Sequence, residues 1–157
     1  MPNGGESNPS TRLSEADICR IYITPSVYRA GWDLKRQVRE QVTFTAGRVK
    51  VRGQRYSRGP RKRADYILYY KPNIPIAVIE AKDNKHSVGA GIQQALGYAE
   101  ILDLKYAYSS NGFGFIEHDR TTGTERELTM DQLPTPDELW ARYSQHKELQ
   151  PEEEKVV

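Results

Sequence analysis

The feature that most constrains the fold is a short apolar segment that ends abruptly in charge. Ile76 to Ala81 is apolar except for Glu80, and Lys82 and Asp83 follow it directly. A strand of this kind has no polar face, so it must lie inside a sheet with both faces covered. Charged groups at the end of a buried strand are costly unless they are paired, solvated or bound to a metal. The segment therefore predicts an α/β architecture and marks this strand end as a candidate site.

The remaining segments supply strands and helices around this central strand. Apolar spacing and turn signals set their boundaries. Helices are predicted over Glu15 to Ile23, Pro25 to Gly31, Gly89 or Ala90 to Asp103, and Pro136 to His146, and strands over Gln37 to Thr45, Asp65 to Tyr70, Lys105 to Ser109 and Phe113 to Glu117. We therefore expect a mixed central β-sheet flanked by helices, with the first helix ending at Thr24-Pro25.

The strand before the central one carries a single acid, Asp65. A two-residue loop between the two strands would place Asp65 opposite Glu80, whereas a three-residue loop would place it opposite Ala81. In the first register, two carboxylates about 5 Å apart lie beside Lys82. Oxygen ligands without His or Cys favour Mg²⁺ or Mn²⁺, which can activate water and stabilise charge on a phosphate. The alternative is structural, with both acids forming salt bridges to Lys82 and Arg63.

Positive charge is concentrated ahead of Asp65. The net charge is only +2, but residues 1–115 hold 18 Lys and Arg against 10 Asp and Glu, and residues 116–157 hold 5 against 11. Eight cations lie in an acid-free run, namely Arg48, Lys50, Arg52, Arg55, Arg58, Arg61, Lys62 and Arg63. Such a run can neutralise several phosphates, which predicts salt-dependent nucleic-acid binding. The DNA-binding candidates are Arg52, Arg55, Arg58, Arg61, Lys62 and Arg63. A solvated basic loop without a partner is the alternative.

Composition excludes several classes of protein. No apolar run approaches the ~18 residues of a membrane-spanning helix, and the N-terminus lacks the apolar core of a secretion signal. The single cysteine, Cys19, cannot form an internal disulfide and suits a reducing cytoplasm. We expect a cytoplasmic protein without a membrane partner. Its predicted organisation is a disordered segment over residues 1–12, one domain over 13–147, and an acidic tail or linker over 148–157.

Two motifs carry a family resemblance. Arg63-Ala64-Asp65 and Glu80-Ala81-Lys82, with fourteen residues between the two acids, resemble the PD-(D/E)xK nuclease signature, and Gln94 to Tyr98 resembles the QxxxY motif of the following helix. Over about residues 13–147 the chain resembles the N-terminal nuclease domain of the R (restriction) subunit of type I restriction-modification enzymes. Ala64 stands where the superfamily name implies proline, a position that contributes no ligand.

The resemblance implies a restriction-endonuclease-like core and a metal site at the central strand. Asp65, Glu80 and the carbonyl of Ala81 would hold Mg²⁺, with Mn²⁺ as a substitute. Lys82 would face the attacking water. These four residues are therefore the predicted metal-binding and catalytic centre.

The resemblance also assigns roles on two helices. Gln94 and Tyr98 would assist catalysis near the DNA, and a helical wheel places both away from the apolar stripe, so neither is expected to contribute to the core. Glu15 would be a further acid close to the metal site. The alternative for Glu15 is a first-turn carboxylate favoured by the helix dipole.

The function implied is Mg²⁺-dependent hydrolysis of double-stranded DNA, as the cleavage module of a type I restriction enzyme. Modification and specificity subunits would then choose the DNA site. The chain contains no G-x-x-x-x-G-K-[ST] phosphate loop, so ATP would be used only by a motor domain that is not in this chain. Two alternatives stay open, namely a free-standing nuclease of the same superfamily and a DNA-binding module that does not cleave.

Overall fold

The computed structural model describes residues 12–46, 48–51 and 55–148, and a six-stranded sheet lies at the centre of this part of the chain. The strands of this sheet are β1 (Val38–Thr45), β4 (Arg61–Lys71), β5 (Ile74–Ala81), β6 (Tyr106–Ser110), β7 (Phe115–Asp119) and β8 (Thr124–Leu128). A separate two-stranded ladder consists of β2 (Arg48–Val51) and β3 (Arg55–Arg58).

The strand order in the sheet is β1-β4-β5-β6-β7-β8. Only β5 and β6 pair in parallel, because the helix α3 (Ile92–Leu102) carries the chain back between them, and the other neighbours are antiparallel. The predicted mixed α/β sheet is thus confirmed. The apolar segment forms β5, an internal strand whose residues are buried from Ile76 to Ala81.

The N-terminal helical segment runs without a break from Glu15 to Arg29. It comprises α1 (Glu15–Ile18), a π-helical turn (Cys19–Ile23) and α2 (Thr24–Arg29). The predicted break between two helices at Thr24-Pro25 is therefore wrong, but the predicted second helix with Pro25 in its first turn is confirmed as α2. The Thr24 N–H reaches back five residues to the Cys19 carbonyl, and Pro25 then occupies the first turn of α2, where its missing N–H costs little. The last helix, α4, spans Pro136–Glu148.

Apolar side chains form one core cluster on each face of the sheet. The first core cluster includes Tyr66 and Ile79 and extends to the helical segment Glu15–Arg29 and to α4. The second core cluster includes Ile67 and Val78 and packs against α3. Coverage on both faces explains why the central strands could be almost wholly apolar.

The sequence reasoning missed three strands. The ladder of β2 and β3 lies inside the basic run, whose density of cations favoured a loop over a strand, and β8 buries only Leu128, so its sequence lacks the apolar alternation of a strand. Helix α3 begins at Ile92, later than predicted, after turns across the preceding glycines. The predicted disordered segment and acidic tail lie outside the described residues, apart from Arg12 and Glu148 at their edges. Among the described helices, none is long and apolar enough to cross a membrane.

A buried carboxylate ties the far end of the sheet together. Glu117 on β7 is only 2% exposed and lies between Tyr108 on β6 and Arg126 on β8 in one cross-strand row. The Tyr108 hydroxyl donates to Glu117 Oε2 at 2.6 Å and Arg126 Nε donates to Oε1 at 2.7 Å, while Arg142 on α4 adds contacts at 3.2 and 3.4 Å. Burial alone would raise the pKa of Glu117, but these hydrogen bonds outweigh it and hold the pKa below its ordinary value.

We expect Glu117→Gln to lower the free energy of unfolding by about 1–3 kcal/mol at neutral pH, because it removes a charged acceptor from the buried Tyr108 hydroxyl and from two arginines. Since the folded-state pKa lies below the ordinary value of about 4.3, this contribution is present at neutral pH. It should be lost as the pH falls through the folded-state value. Urea unfolding at several pH values measures the difference, and a difference that stays constant into the acid range would contradict the account.

Candidate active site

The candidate site begins with the register between β4 and β5. The turn at Pro72-Asn73 has two residues, and the paired ladder, continued by one step from Tyr66 and Ile79, sets Asp65 opposite Glu80. The Asp65 N–H donates to Glu80 Oε2 at 2.9 Å, and the Ala81 N–H donates to Asp65 Oδ2 at 2.8 Å. The first of the two registers considered from the sequence is the one observed, and it places Asp65, inside β4, beside Glu80 at the end of β5.

Burial and mutual repulsion act on this pair. Glu80 is 3% exposed. Removal from water, followed by the negative charge of Asp65, raises the pKa of Glu80 to about 8. The positive charge of Lys82 acts in the opposite direction and lowers the pKa of Glu80, but it does not cancel the rise. No ion pair joins either acid to Lys82 or Arg63 within the described residues, so the salt-bridge alternative is wrong.

The start of α3 lies close against this strand end. A Cβ added to Gly91 would lie 3.1 Å from Ser109 Oγ and 3.5 Å from both the Glu80 Cβ and the Lys82 Cε. Ser109 Oγ also accepts the Gly91 N–H at 2.9 Å and donates to the Val88 carbonyl at 2.7 Å. The glycine therefore leaves the space in which the Lys82 side chain runs past Glu80.

The QxxxY pair lies on α3, on the same side of the sheet as Glu80. Gln94 is exposed, and its Nε2 donates to the Tyr98 hydroxyl at 2.9 Å. Tyr98 is 8% exposed and packs edge-on against Phe44, with ring centroids 5.1 Å apart. Burial and then the charges of Glu80 and Asp65 raise the pKa of Tyr98. The expectation that Tyr98 lies outside the core is wrong, because β1 brings Phe44 over a position that α3 alone would leave open.

A cavity of about 580 Å³ opens beside Asp65. It is lined by Glu15, Ala16, Cys19, Arg20, Thr24, Glu40, Gln41, Arg63 and Asp65. Glu15 and Asp65 thus line one cavity, as the resemblance implies for a further acid near the site. Sequence reasoning missed Glu40 and Gln41, which β1 contributes. Their position follows from the pairing of β1 with β4, and no local sequence signal marks it.

The end of the basic run lies beside the cavity that Asp65 lines. Arg61, Lys62 and Arg63 are the first residues of β4, and Arg63 lines the cavity together with Asp65. Arg55 and Arg58 belong to β3. Arg52 lies outside the described residues. Among the DNA-binding candidates whose side chains the structure describes, Arg63 lines the cavity beside Asp65.

The donor set at this site is small and consists of oxygen atoms. Among the described residues, no group of three or more His, Cys, Asp or Glu side chains could hold a metal ion. Any metal there would depend on the two carboxylates, Asp65 and Glu80, and on backbone oxygen or water. Two facing acids with oxygen donors and no nitrogen or sulfur ligand suit a hard divalent cation.

Three comparisons with known proteins converge on one family. The family model "Type I restriction enzyme R protein N terminus" matches residues 12–126. The chain is 44% identical over 137 residues to the type I restriction enzyme EcoAI endonuclease subunit of Escherichia coli, covering 85% of this chain and 17% of that protein. The chain therefore spans about a sixth of the length of this curated relative.

A solved structure agrees with the observed fold. The fragment structure described as an HsdR subunit of a type I restriction enzyme from Vibrio vulnificus YJ016 superposes with a TM-score of 0.75 at 49% identity. The match covers 88% of this chain and 27% of that one. On the fold, the sequence identity and the family match, the chain belongs to the family of type I restriction enzyme R protein N termini.

Proposed function

We propose that this chain is the DNA-cleaving module of a type I restriction enzyme R subunit and hydrolyses phosphodiester bonds of double-stranded DNA with Mg²⁺. The observation that carries the proposal is the facing pair of Asp65 and Glu80 at the end of a buried strand, with Lys82 two residues further on. Mn²⁺ would substitute for Mg²⁺. The modification and specificity subunits of the complex would choose the DNA site.

The residues present fit a divalent cation. Glu80 is almost wholly removed from water and faces a second carboxylate, and no protein cation pairs with either acid among the described residues. A bound cation would offset both the repulsion and the cost of burial. Asp65, Glu80 and the Ala81 carbonyl are the proposed ligands. When bound, the metal would supply an activated water and would stabilise charge on the phosphate.

The chain's own residues have distinct tasks in this proposal. Lys82 orients the attacking water and offsets negative charge that builds on the phosphate. Gln94, hydrogen-bonded to Tyr98, presents a polar group from α3 on the Glu80 side of the sheet. Arg63, on the cavity beside Asp65, holds a neighbouring phosphate of the DNA backbone.

In the complete R subunit assembled with its partner subunits, we expect Asp65→Ala or Lys82→Ala to reduce DNA cleavage by on the order of 100-fold or more, because a preorganised group at the reacting phosphate is removed. ATP hydrolysis should be unchanged, since it belongs to the motor. Lys85→Ala, an exposed lysine three residues away, is the matched control and should cleave normally.

If DNA cleavage is unchanged in Asp65→Ala, the assignment of Asp65 to the catalytic site is wrong. A second cleavage assay, with the isolated chain and plasmid DNA, separates the two alternatives. A free-standing nuclease would cut the plasmid without ATP or partner subunits. A module that only binds DNA would cut neither as the isolated chain nor in the assembled complex.

DNA binding by the isolated chain should depend on the cations that lead into Asp65. Removing one cation from a DNA phosphate lowers the slope of log affinity against log salt by about 0.9. We expect Arg61→Ala and Arg63→Ala each to reduce this slope, measured by fluorescence anisotropy with a short duplex. Arg29→Ala, whose guanidinium pairs with Asp131, is the control. Slopes unchanged in both test variants would show that the phosphates lie elsewhere.

A further inference from the structure

We propose that Gln41 is a positioning residue for the Asp65 carboxylate, holding it in the orientation that receives the divalent cation. The inference rests on the proposed function of the Asp65–Glu80 pair and goes beyond it, since Gln41 belongs to none of the motifs recognised in the sequence. Two independent features of β1 lead to it, the backbone conformation of Gln41 and the contact of its side chain.

The backbone of Gln41 is left-handed in the middle of an edge strand. Its φ is 55°, and among the described residues only Asp103 is another non-glycine with positive φ. This conformation costs a non-glycine residue about 1–2 kcal/mol and persists where the surroundings impose it. Asp103 has a familiar reason for it, since it caps the C-terminal end of α3. Gln41 caps no helix and ends no strand.

The side chains of β1 change the face of the sheet on which they pack at the level of Asp65. The β1–β4 ladder keeps one register on both sides of Gln41, which places Gln41 opposite Asp65. Val38 belongs to the first core cluster, yet Val42 and Phe44 pack against the second. Alternate residues of a regular strand share one face, so the alternation is broken between Val38 and Val42, the interval that contains Gln41. The paired strand changes face at the same level, since Tyr66 belongs to the first core cluster and Ala64 to the second. Asp65 lies at this level and lines the cavity together with Gln41.

The side chain of Gln41 contacts the same carboxylate. Gln41 Nε2 donates to Asp65 Oδ1 at 3.3 Å, and the Ala81 N–H donates to Oδ2 at 2.8 Å. One donor on each oxygen defines the rotation of the carboxylate about its Cβ–Cγ bond. Because the glutamine amide carries no charge, it orients Asp65 without neutralising it. Hydrogen bonds of this kind to metal ligands typically change metal affinity by 10–100-fold when they are removed.

The test is calorimetric titration of Mn²⁺ into the full chain, with the thermal midpoint measured in parallel. Gln41→Gly keeps the left-handed backbone without strain and removes the whole side chain, including the amide that donates to Asp65. We expect about 10-fold weaker Mn²⁺ binding with a thermal midpoint at or above that of the unsubstituted protein. Asp103→Gly relaxes the same type of backbone far from the cavity, and it should leave Mn²⁺ affinity unchanged. A purely structural role for Gln41 would move the thermal midpoint and leave the affinity unaltered.

The outcomes separate this inference from the proposed function. Unchanged affinity in Gln41→Gly, with binding abolished in Asp65→Ala, overturns the inference and leaves the metal site intact. No Mn²⁺ uptake by the unsubstituted protein overturns both. A metal-free readout adds a second criterion, since Asp65→Asn should shift the side-chain amide resonance of Gln41 but not that of Gln37, which donates to the Tyr70 carbonyl. If the chemical shift of the Gln41 side-chain amide is unchanged in Asp65→Asn, the inference is also overturned.

Discussion

The structure depends on one strand that is buried on both faces and yet ends in a carboxylate. β5 can exist only because α3 covers one side of it and the helical segment Glu15–Arg29 with α4 covers the other. The same coverage removes Glu80 from water and makes its negative charge costly. Two hydrogen bonds between side chain and backbone hold Asp65 opposite Glu80. The cost of burying a charge and the repulsion between two carboxylates therefore act on the same pair of residues. This concentration of negative charge is the basis on which we propose a cation site here.

The central strands could be predicted because their signals are local, namely an apolar run of strand length, a short turn and a single acid on each strand. These signals left two registers open, and the observed two-residue turn selects the one that sets Asp65 opposite Glu80. Helix α3 was also predicted from its apolar spacing, although it begins at Ile92 and not at Gly89 or Ala90, and the family resemblance directed attention to Gln94 and Tyr98. Family membership also agrees with the motifs on these elements, since the matched region begins at residue 12 and includes all of them.

Other features depend on tertiary contacts that no local pattern records. β8 carries Thr124 to Leu128 at an exposed edge, where burial does not select alternation. Thr24-Pro25 was expected to separate two helices, whereas a π-helical turn joins α1 to α2 without a break. Tyr98 is buried by Phe44 from a strand fifty residues earlier in the chain. Gln41 adopts a left-handed conformation that its residue type does not favour, so the sequence gives no sign of it. Its position opposite Asp65 is known only from the pairing of β1 with β4.

The central proposal is that the Asp65–Glu80 pair binds one kind of ligand, a divalent metal ion. Anomalous diffraction from a crystal of this chain grown with Mn²⁺ tests that claim most directly, because the signal locates the metal without reference to activity. The account predicts a peak in contact with both carboxylates, at a metal–oxygen distance of roughly 2.0–2.4 Å. A peak bound elsewhere, or none between Asp65 and Glu80 at saturating Mn²⁺, would contradict it.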